Sequence, residues 1–130
     1  MTLPSRLRSY FEGGIVITKG VDRCLFAFPP EEWATFKANV KANADLSARG
    51  RQLSRMFFSM AFEATLDRQG RVLIPTKLAQ YAGLSRDITV TGVDDRLEIW
   101  DTEEWNRYVS GADESFEDII EEFSGRDSGA

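Results

Sequence analysis

Two stretches of this 130-residue chain repeat one another. Leu3-Pro4-Ser5-Arg6-Leu7-Arg8-Ser9-Tyr10 is answered by Ile74-Pro75-Thr76-Lys77-Leu78-Ala79-Gln80-Tyr81, at an offset of 71 (Pro4 to Pro75). Gly20-Val21-Asp22-Arg23-Cys24-Leu25 is answered by Gly92-Val93-Asp94-Asp95-Arg96-Leu97, and Glu31-Glu32-Trp33 by Glu103-Glu104-Trp105, at an offset of 72 (Trp33 to Trp105). A tandem duplication restricts the fold to two similar units that share or exchange elements around a pseudo-symmetric core. The spacing divides the chain into a first repeat with a linker helix (1–60), a second repeat (61–112) and an acidic amphipathic tail (113–130).

The second repeat reads as follows. Phe62-Glu63-Ala64-Thr65-Leu66 alternates as a strand does. Gly70 supplies a turn before the extended run Arg71-Val72-Leu73-Ile74, and a short helix follows from Lys77 to Ala82, with Gly83 as its C′ stop. Ile88 to Val93 and Leu97 to Trp100, joined by Asp94-Asp95, read as a hairpin. Asp101 reads as an N-cap with Glu104 completing a capping box. In the first repeat, a helix near Ser5 to Phe11 ends at Gly13-Gly14. Strands Ile15 to Thr18 and Cys24 to Phe28 flank a turn at Gly20 to Arg23. Pro30 opens a helix with Trp33, Phe36 and Val40 facing inward; core packing is the ordinary reading of that aromatic stripe.

Leu46 to Met60 reads as a linking helix with Leu46, Leu53, Phe57 and Met60 near one face and Gly50 weakening its middle. Arg49, Arg51 and Arg55 fit a solvated or subunit-contacting face, with phosphate contact the less ordinary alternative. In the tail, Phe116, Ile119, Ile120 and Phe123 follow helical spacing, which predicts packing on the body; free disorder is expected past Ser124.

The chain has no histidine and one cysteine, which leaves out His-based acid–base catalysis, Cys–His nucleophiles, disulfides and the common zinc sites. No catalytic residue, metal or cofactor is expected, and Cys24 reads as a small core residue. No apolar run approaches a membrane span and no signal peptide is evident, so a cytoplasmic setting is expected. The formal net charge is −5, unevenly spread. Residues 1–60 carry nine Lys/Arg against five Asp/Glu, and residues 61–130 carry seven against sixteen. A local basic face can therefore coexist with an acidic total, and DNA responds to local potential.

The remaining chemistry is binding. Asp67 and Arg71 stand four apart around Gly70, with Arg68 in the same loop and Lys77 opening the next helix. A guanidinium so placed can contact phosphate or guanine O6/N7; equally, the pair can simply fasten the turn. Arg6 and Arg8 occupy the related helix of the first repeat, which predicts two similar basic edges.

Asp67, Gly70, Arg71, Val72, Ile74 and Pro75, together with the trailing Leu97-Glu98-Ile99-Trp100-Asp101 and Trp105, resemble the MraZ family of bacterial transcription factors, related to the AbrB/SpoVT swapped-hairpin fold. The resemblance implies a mostly β, α+β chain built as a tandem pseudo-symmetric swapped-hairpin barrel with peripheral helices. It implies a regulator, not an enzyme, that represses its own division and cell-wall gene cluster by binding short direct repeats in promoter double-stranded DNA. It further implies a ring-shaped homo-oligomer associated with the nucleoid. The family's Asp-x-x-x-Arg contact transfers to Asp67 and Arg71, with Arg68 and Gly70 alongside. The alternative reading is a protein-interaction or antitoxin-like assembly module with a vestigial DNA edge. The first repeat departs from the pattern, since it begins almost at its proline with no second Asp-x-x-Gly-Arg. Open backbone groups along Leu66 to Ile74 and altered DNA binding are the expected consequences.

Overall fold

The computed structural model describes residues 1–128, with side-chain surroundings through 125. In the first repeat, helix α1 (Ser5–Arg8) tightens into a 3-10 turn at Ser9–Phe11 and leads to strands β1 (Ile15–Lys19) and β2 (Leu25–Phe28). Helices α2 (Pro30–Asn43) and α3 (Ala48–Ser59) follow. Strand β3 (Phe62–Ala64), helix α4 (Thr76–Tyr81), strands β4 (Ile88–Val93) and β5 (Arg96–Asp101) and helix α5 (Thr102–Ser128) complete the described chain. Helical residues outnumber strand residues, so the chain is α+β with its strands at the centre rather than mostly β.

The strands form one antiparallel sheet in the order β3-β1-β2-β5-β4. Its middle carries the duplication. Phe26 pairs with Glu98, Leu25 with Ile99 and Ala27 with Leu97. Glu98 lies 72 residues after Phe26 and is its repeat counterpart, so a pseudo-two-fold axis passes between them. Strand β3, from the second repeat, pairs with β1 of the first, Val16 opposite Glu63.

Alternation along the strands divides the core between the two sheet faces. Ile15, Ile17, Leu25, Ala27, Leu97 and Ile99 face one side with Leu3, Phe11, Val72 and Leu78 from the α1 and α4 regions. Val16, Phe26, Phe28 and Trp100 face the other, under Trp33 and Phe36 of α2, Phe58 of α3 and Trp105 of α5. Thr18, fully buried in β1, donates its hydroxyl to Phe57 O at 2.7 Å, tying α3 to the sheet. Cys24 is a buried core thiol, as expected, pushed up to about 12 by burial and, secondarily, by the nearby Glu98 carboxylate; it is protonated and inert at neutral pH.

Several local expectations change. Arg71–Ile74 is not a strand. Instead Met1–Leu3 runs beside Gly70–Val72, with Leu3 N–H donating to Gly70 O at 2.9 Å and Val72 N–H to Met1 O at 2.8 Å. Part of the backbone expected to lie open between Leu66 and Ile74, at Gly70–Val72, is therefore paired. In α3, Gly50 is no weak point, because it lies in the first turn against the preceding loop. A Cβ there would come within 2.2 Å of Asp45 O, while Ser47 Oγ caps Gly50 N–H at 3.1 Å. Leu46 and Leu53 are exposed, and the inward face is made by Phe57 and Phe58.

Finally, Asp101 caps α5 without the expected box. Its carboxylate accepts Glu104 N–H at 3.4 Å, but the Glu104 carboxylate turns to Arg107. The cap gains another partner, since Ser85 donates its N–H and hydroxyl to Asp101 Oδ1 at 3.2 and 2.5 Å. These bonds, the Ser85 hydroxyl first, hold the Asp101 carboxyl below the usual carboxylate range. Asp101→Ala is expected to lower Tm by roughly 4–8 °C through loss of both the cap and the Ser85 tie, measured by thermal denaturation. Asp101→Asn, which keeps an acceptor, should recover part of the loss.

The tail also departs from expectation. Helix α5 runs unbroken across residue 113 to Ser128, past the point where disorder was expected. Phe116, Ile119 and Ile120 are 59%, 39% and 49% exposed rather than packed on the body, and Phe123 is 57% exposed. Gly129 and Ala130 lie outside the described residues.

Candidate nucleic-acid interface

The loop from Asp67 to Arg71 is fixed by one carboxylate. Asp67 Oδ1 accepts the N–H groups of Gln69 at 2.9 Å and Arg71 at 2.8 Å, and Oδ2 accepts Arg71 Nε at 2.7 Å. Asp67 N–H donates to Arg71 O, and Gly70 N–H to Asp67 O, both at 3.0 Å. An aspartate suits this position because its short side chain mimics the missing backbone acceptor of a turn. Its carboxyl is held below the usual range, first by the Arg71 amide and then by the guanidinium. Asp67 contributes fully above its unperturbed value of 3.8, and the contribution fades as pH falls through the lower folded value. The loop geometry is thus constant across the neutral range.

Gly70 has φ +76°, a left-handed conformation that side chains resist. Its missing Cβ also makes room for Arg8, whose Nε would lie 2.2 Å from that atom. Arg8 crosses the turn and donates Nε–H to Leu3 O at 3.1 Å. Gly70→Ala therefore has to displace Arg8 and carry the φ strain, about 1–2 kcal/mol of lost stability. A urea melt should show the loss, and Gly70→Asn, which tolerates this φ better, should lose less on that count.

Arg71 leaves this turn with only one edge engaged. Its Nε is held by Asp67, one terminal nitrogen reaches Gln69 Oε1 at 3.3 Å, and its side chain remains 62% exposed. The loop thus presents an oriented guanidinium to solvent, the geometry that bidentate contact with phosphate or a guanine edge requires. Arg68 is exposed at the tip of the same turn, and Lys77 is exposed in the first turn of α4. Among the described residues Lys77 makes no ion pair or hydrogen bond to the loop.

The structure redistributes the first-repeat arginines. Arg8 does not build a second, separate edge; it sits against Gly70 in the same loop. Arg6 is exposed on α1. Sequence reasoning missed the hydrogen bonds joining Met1 and Leu3 to Val72 and Gly70, which carry the base of the loop. Leu3 and Ile74 are repeat counterparts, which could have hinted that their segments meet. It also missed the ion pair of Arg96 with Glu98 at 2.9 Å, beside the pseudo-axis, where Trp100 Nε1 also donates to Glu98 at 3.1 Å. Arg96 stacks on Phe26 at 4.3 Å, which makes this a core fastening rather than a binding group.

No group of three or more His, Cys, Asp or Glu side chains among the described residues could hold a metal ion. No described helix is long and apolar enough to cross a membrane.

The chain is similar in sequence to known proteins. A family model described as "MraZ protein, putative antitoxin-like" matches residues 1–54 and 57–127. Two relatives bear the name "Transcriptional regulator MraZ", one from Frankia alni and one from Frankia casuarinae. Each is 43% identical over 122 residues, covering 94% of this chain and 85% of the relative.

Proposed function

The chain belongs to the MraZ family, and from that premise we propose that it is a sequence-specific DNA-binding transcriptional regulator that represses its own division and cell-wall gene cluster. As a member of a family of regulators it is not an enzyme. One observation carries the DNA reading: the Arg71 guanidinium is oriented by Asp67 yet largely exposed. Arg71 reads bases or phosphates, Asp67 positions it, Gly70 permits the turn and Arg8 braces it. Arg68, Lys77 and Arg6 add phosphate contacts around this edge. The setting is cytoplasmic and nucleoid-associated.

The fold fits a tandem swapped-hairpin barrel with units 1–60 and 61–112 and tail 113–130. Strand β3 of the second unit pairs with the first, and Met1–Leu3 of the first pairs with Gly70–Val72 of the second. One small basic edge gives modest affinity. A ring of copies engaging short direct repeats raises effective concentration at the operator.

A mobility-shift titration with the DNA upstream of the chain's own gene tests this reading. Binding should exceed that to a scrambled fragment by at least roughly 1,000-fold. It should also weaken with salt, at a log–log slope of about −0.9 per neutralised phosphate. Equal affinity for the scrambled fragment would overturn sequence specificity. The exposed acidic–apolar surface of α5 favours a second reading, an antitoxin-like interaction module with a vestigial DNA edge. Co-purification of a distinct protein without promoter binding would select it.

A further inference from the structure

Two tyrosines stand at equivalent places in the repeats, and only one closes over a hairpin. Tyr81 donates its hydroxyl to Gly20 O at 2.8 Å, at the turn between β1 and β2, and Lys19 Nζ lies 4.9 Å from the centre of its ring. Tyr10, its counterpart 71 residues earlier, is 68% exposed. Strand register explains the difference. Lys19 pairs with Leu25, and Gly92 pairs with Leu97, the repeat counterpart of Leu25. Gly92 therefore holds the place of Lys19, and the ammonium that covers one ring is missing from the other.

An open cavity of about 710 Å³ lies there, between Tyr10, the start of α2 and the turn joining β4 to β5. That is the size of a small-molecule site. Leu7, Phe11, Pro29 and Leu97 give it an apolar lining, and Glu31, Glu32, Asp94 and Asp95 bring carboxylates to it. The cation of the lining is Arg96, and it is engaged by Asp95 at 3.3 Å and by Glu98 at 2.9 Å. Glu31, Glu32 and Asp94 form no ion pair among the described residues.

We propose that this cavity binds an aliphatic polyamine. One ammonium lies on the Tyr10 ring, as that of Lys19 lies on Tyr81. The methylene chain follows the apolar lining, and a further ammonium meets Glu31, Glu32 and Asp94. A single lysine side chain would satisfy the ring and leave those carboxylates unpaired, which favours a ligand carrying several ammonium groups on one chain.

Isothermal titration calorimetry of the full chain with spermidine, at constant ionic strength, tests it, and thermal melts check folding. Saturable binding at a single site is expected. Tyr10→Leu should weaken it roughly 2- to 30-fold, the range for losing one cation–π contact. Glu31→Gln with Asp94→Asn should weaken it at least as much. Gly92→Lys should do the same by supplying the ring with an ammonium of its own; a Cβ there has room, with Leu97 Cδ2 4.0 Å away. Glu117→Gln with Glu121→Gln, on the acidic outer part of α5, should change nothing. No saturable binding by the parent chain, or unchanged affinity in Tyr10→Leu, would overturn the site. Equal weakening in the α5 variant would reduce the binding to diffuse attraction by acids and overturn it too. A lysine-containing tripeptide that binds more tightly than spermidine would overturn the polyamine in favour of a lysine side chain. If Gly92→Lys unfolds, Tyr10→Leu decides, because Tyr10 is largely exposed.

Discussion

Arg71→Ala is expected to weaken operator binding by roughly 5- to 150-fold, the range for losing one bidentate contact of about 1–3 kcal/mol. The fold should be unchanged. The Arg71 side chain is 62% exposed, and its ion pair with Asp67 lies at the surface, where such pairs add little. The turn has its own support, because Asp67 Oδ1 also accepts the backbone N–H groups of Gln69 and Arg71. A mobility shift on operator and scrambled DNA separates two roles. If Arg71 reads a base, discrimination between the fragments collapses; if it holds a phosphate, both weaken alike and the salt slope falls by about one. Lys77→Ala should show only the second pattern. Asp67→Asn keeps an acceptor for the backbone but removes the charge on Nε, so it should fall between Arg71→Ala and the parent chain. Operator affinity unchanged in Arg71→Ala would remove this loop from the interface.

The elements that local pattern specifies were legible in the sequence. The repeat located both hairpins. Gly20 and Asp94 marked their turns, Pro30 the start of α2 and Gly83 the end of α4. Gly83 N–H donates to Gln80 O and Leu84 N–H to Ala79 O, the pair of hydrogen bonds that closes the helix. The pairing of Asp67 with Arg71 was also within reach, since both partners lie in one turn. What escaped depends on segments far apart in the chain. Nothing in the periodicity of Met1–Leu3 says that it lies against Gly70–Val72, or that Arg8 crosses Gly70. Competition between partners accounts for other differences. Glu104 had two acceptable destinations, the backbone N–H of a capping box or the Arg107 guanidinium one turn on, and the chain takes the ion pair. Spacing alone placed Phe116 and Ile120 on an apolar face, yet they are 59% and 49% exposed, because periodicity marks a face without naming what covers it.

The largest loss of stability should come from Phe28→Ala. Phe28 is fully buried in β2 and stands at the centre of the aromatic layer. Its ring lies 4.8 Å from Phe36, 5.7 Å from Trp33 and 6.1 Å from Phe26. Deleting it forfeits the ring's transfer out of water and leaves a cavity that the surrounding groups cannot readily fill. Trp33 is held by Phe58 at 6.0 Å and Phe36 by Phe57 at 5.2 Å, so neither is free to collapse inward. The cost should be about 3–5 kcal/mol, a large share of the roughly 5–15 kcal/mol that holds a domain folded. In urea the midpoint should drop with an unchanged m-value, because the same surface is exposed on unfolding. Phe28→Leu, which fills most of the space, should lose much less. The repeat counterpart supplies the contrast. Trp100 occupies the equivalent place in β5, where its ring is covered by Trp105 and Tyr108 of α5 and its Nε1 donates to Glu98. Trp100→Phe keeps a ring in place but removes the donor to Glu98 and part of the buried indole, so its loss should combine about 1.5–3 kcal/mol for a hydrogen bond to a charged acceptor with a smaller packing loss. If Phe28→Ala and Trp100→Phe cost the same, the aromatic layer under α2 is less closely packed than its ring geometry implies.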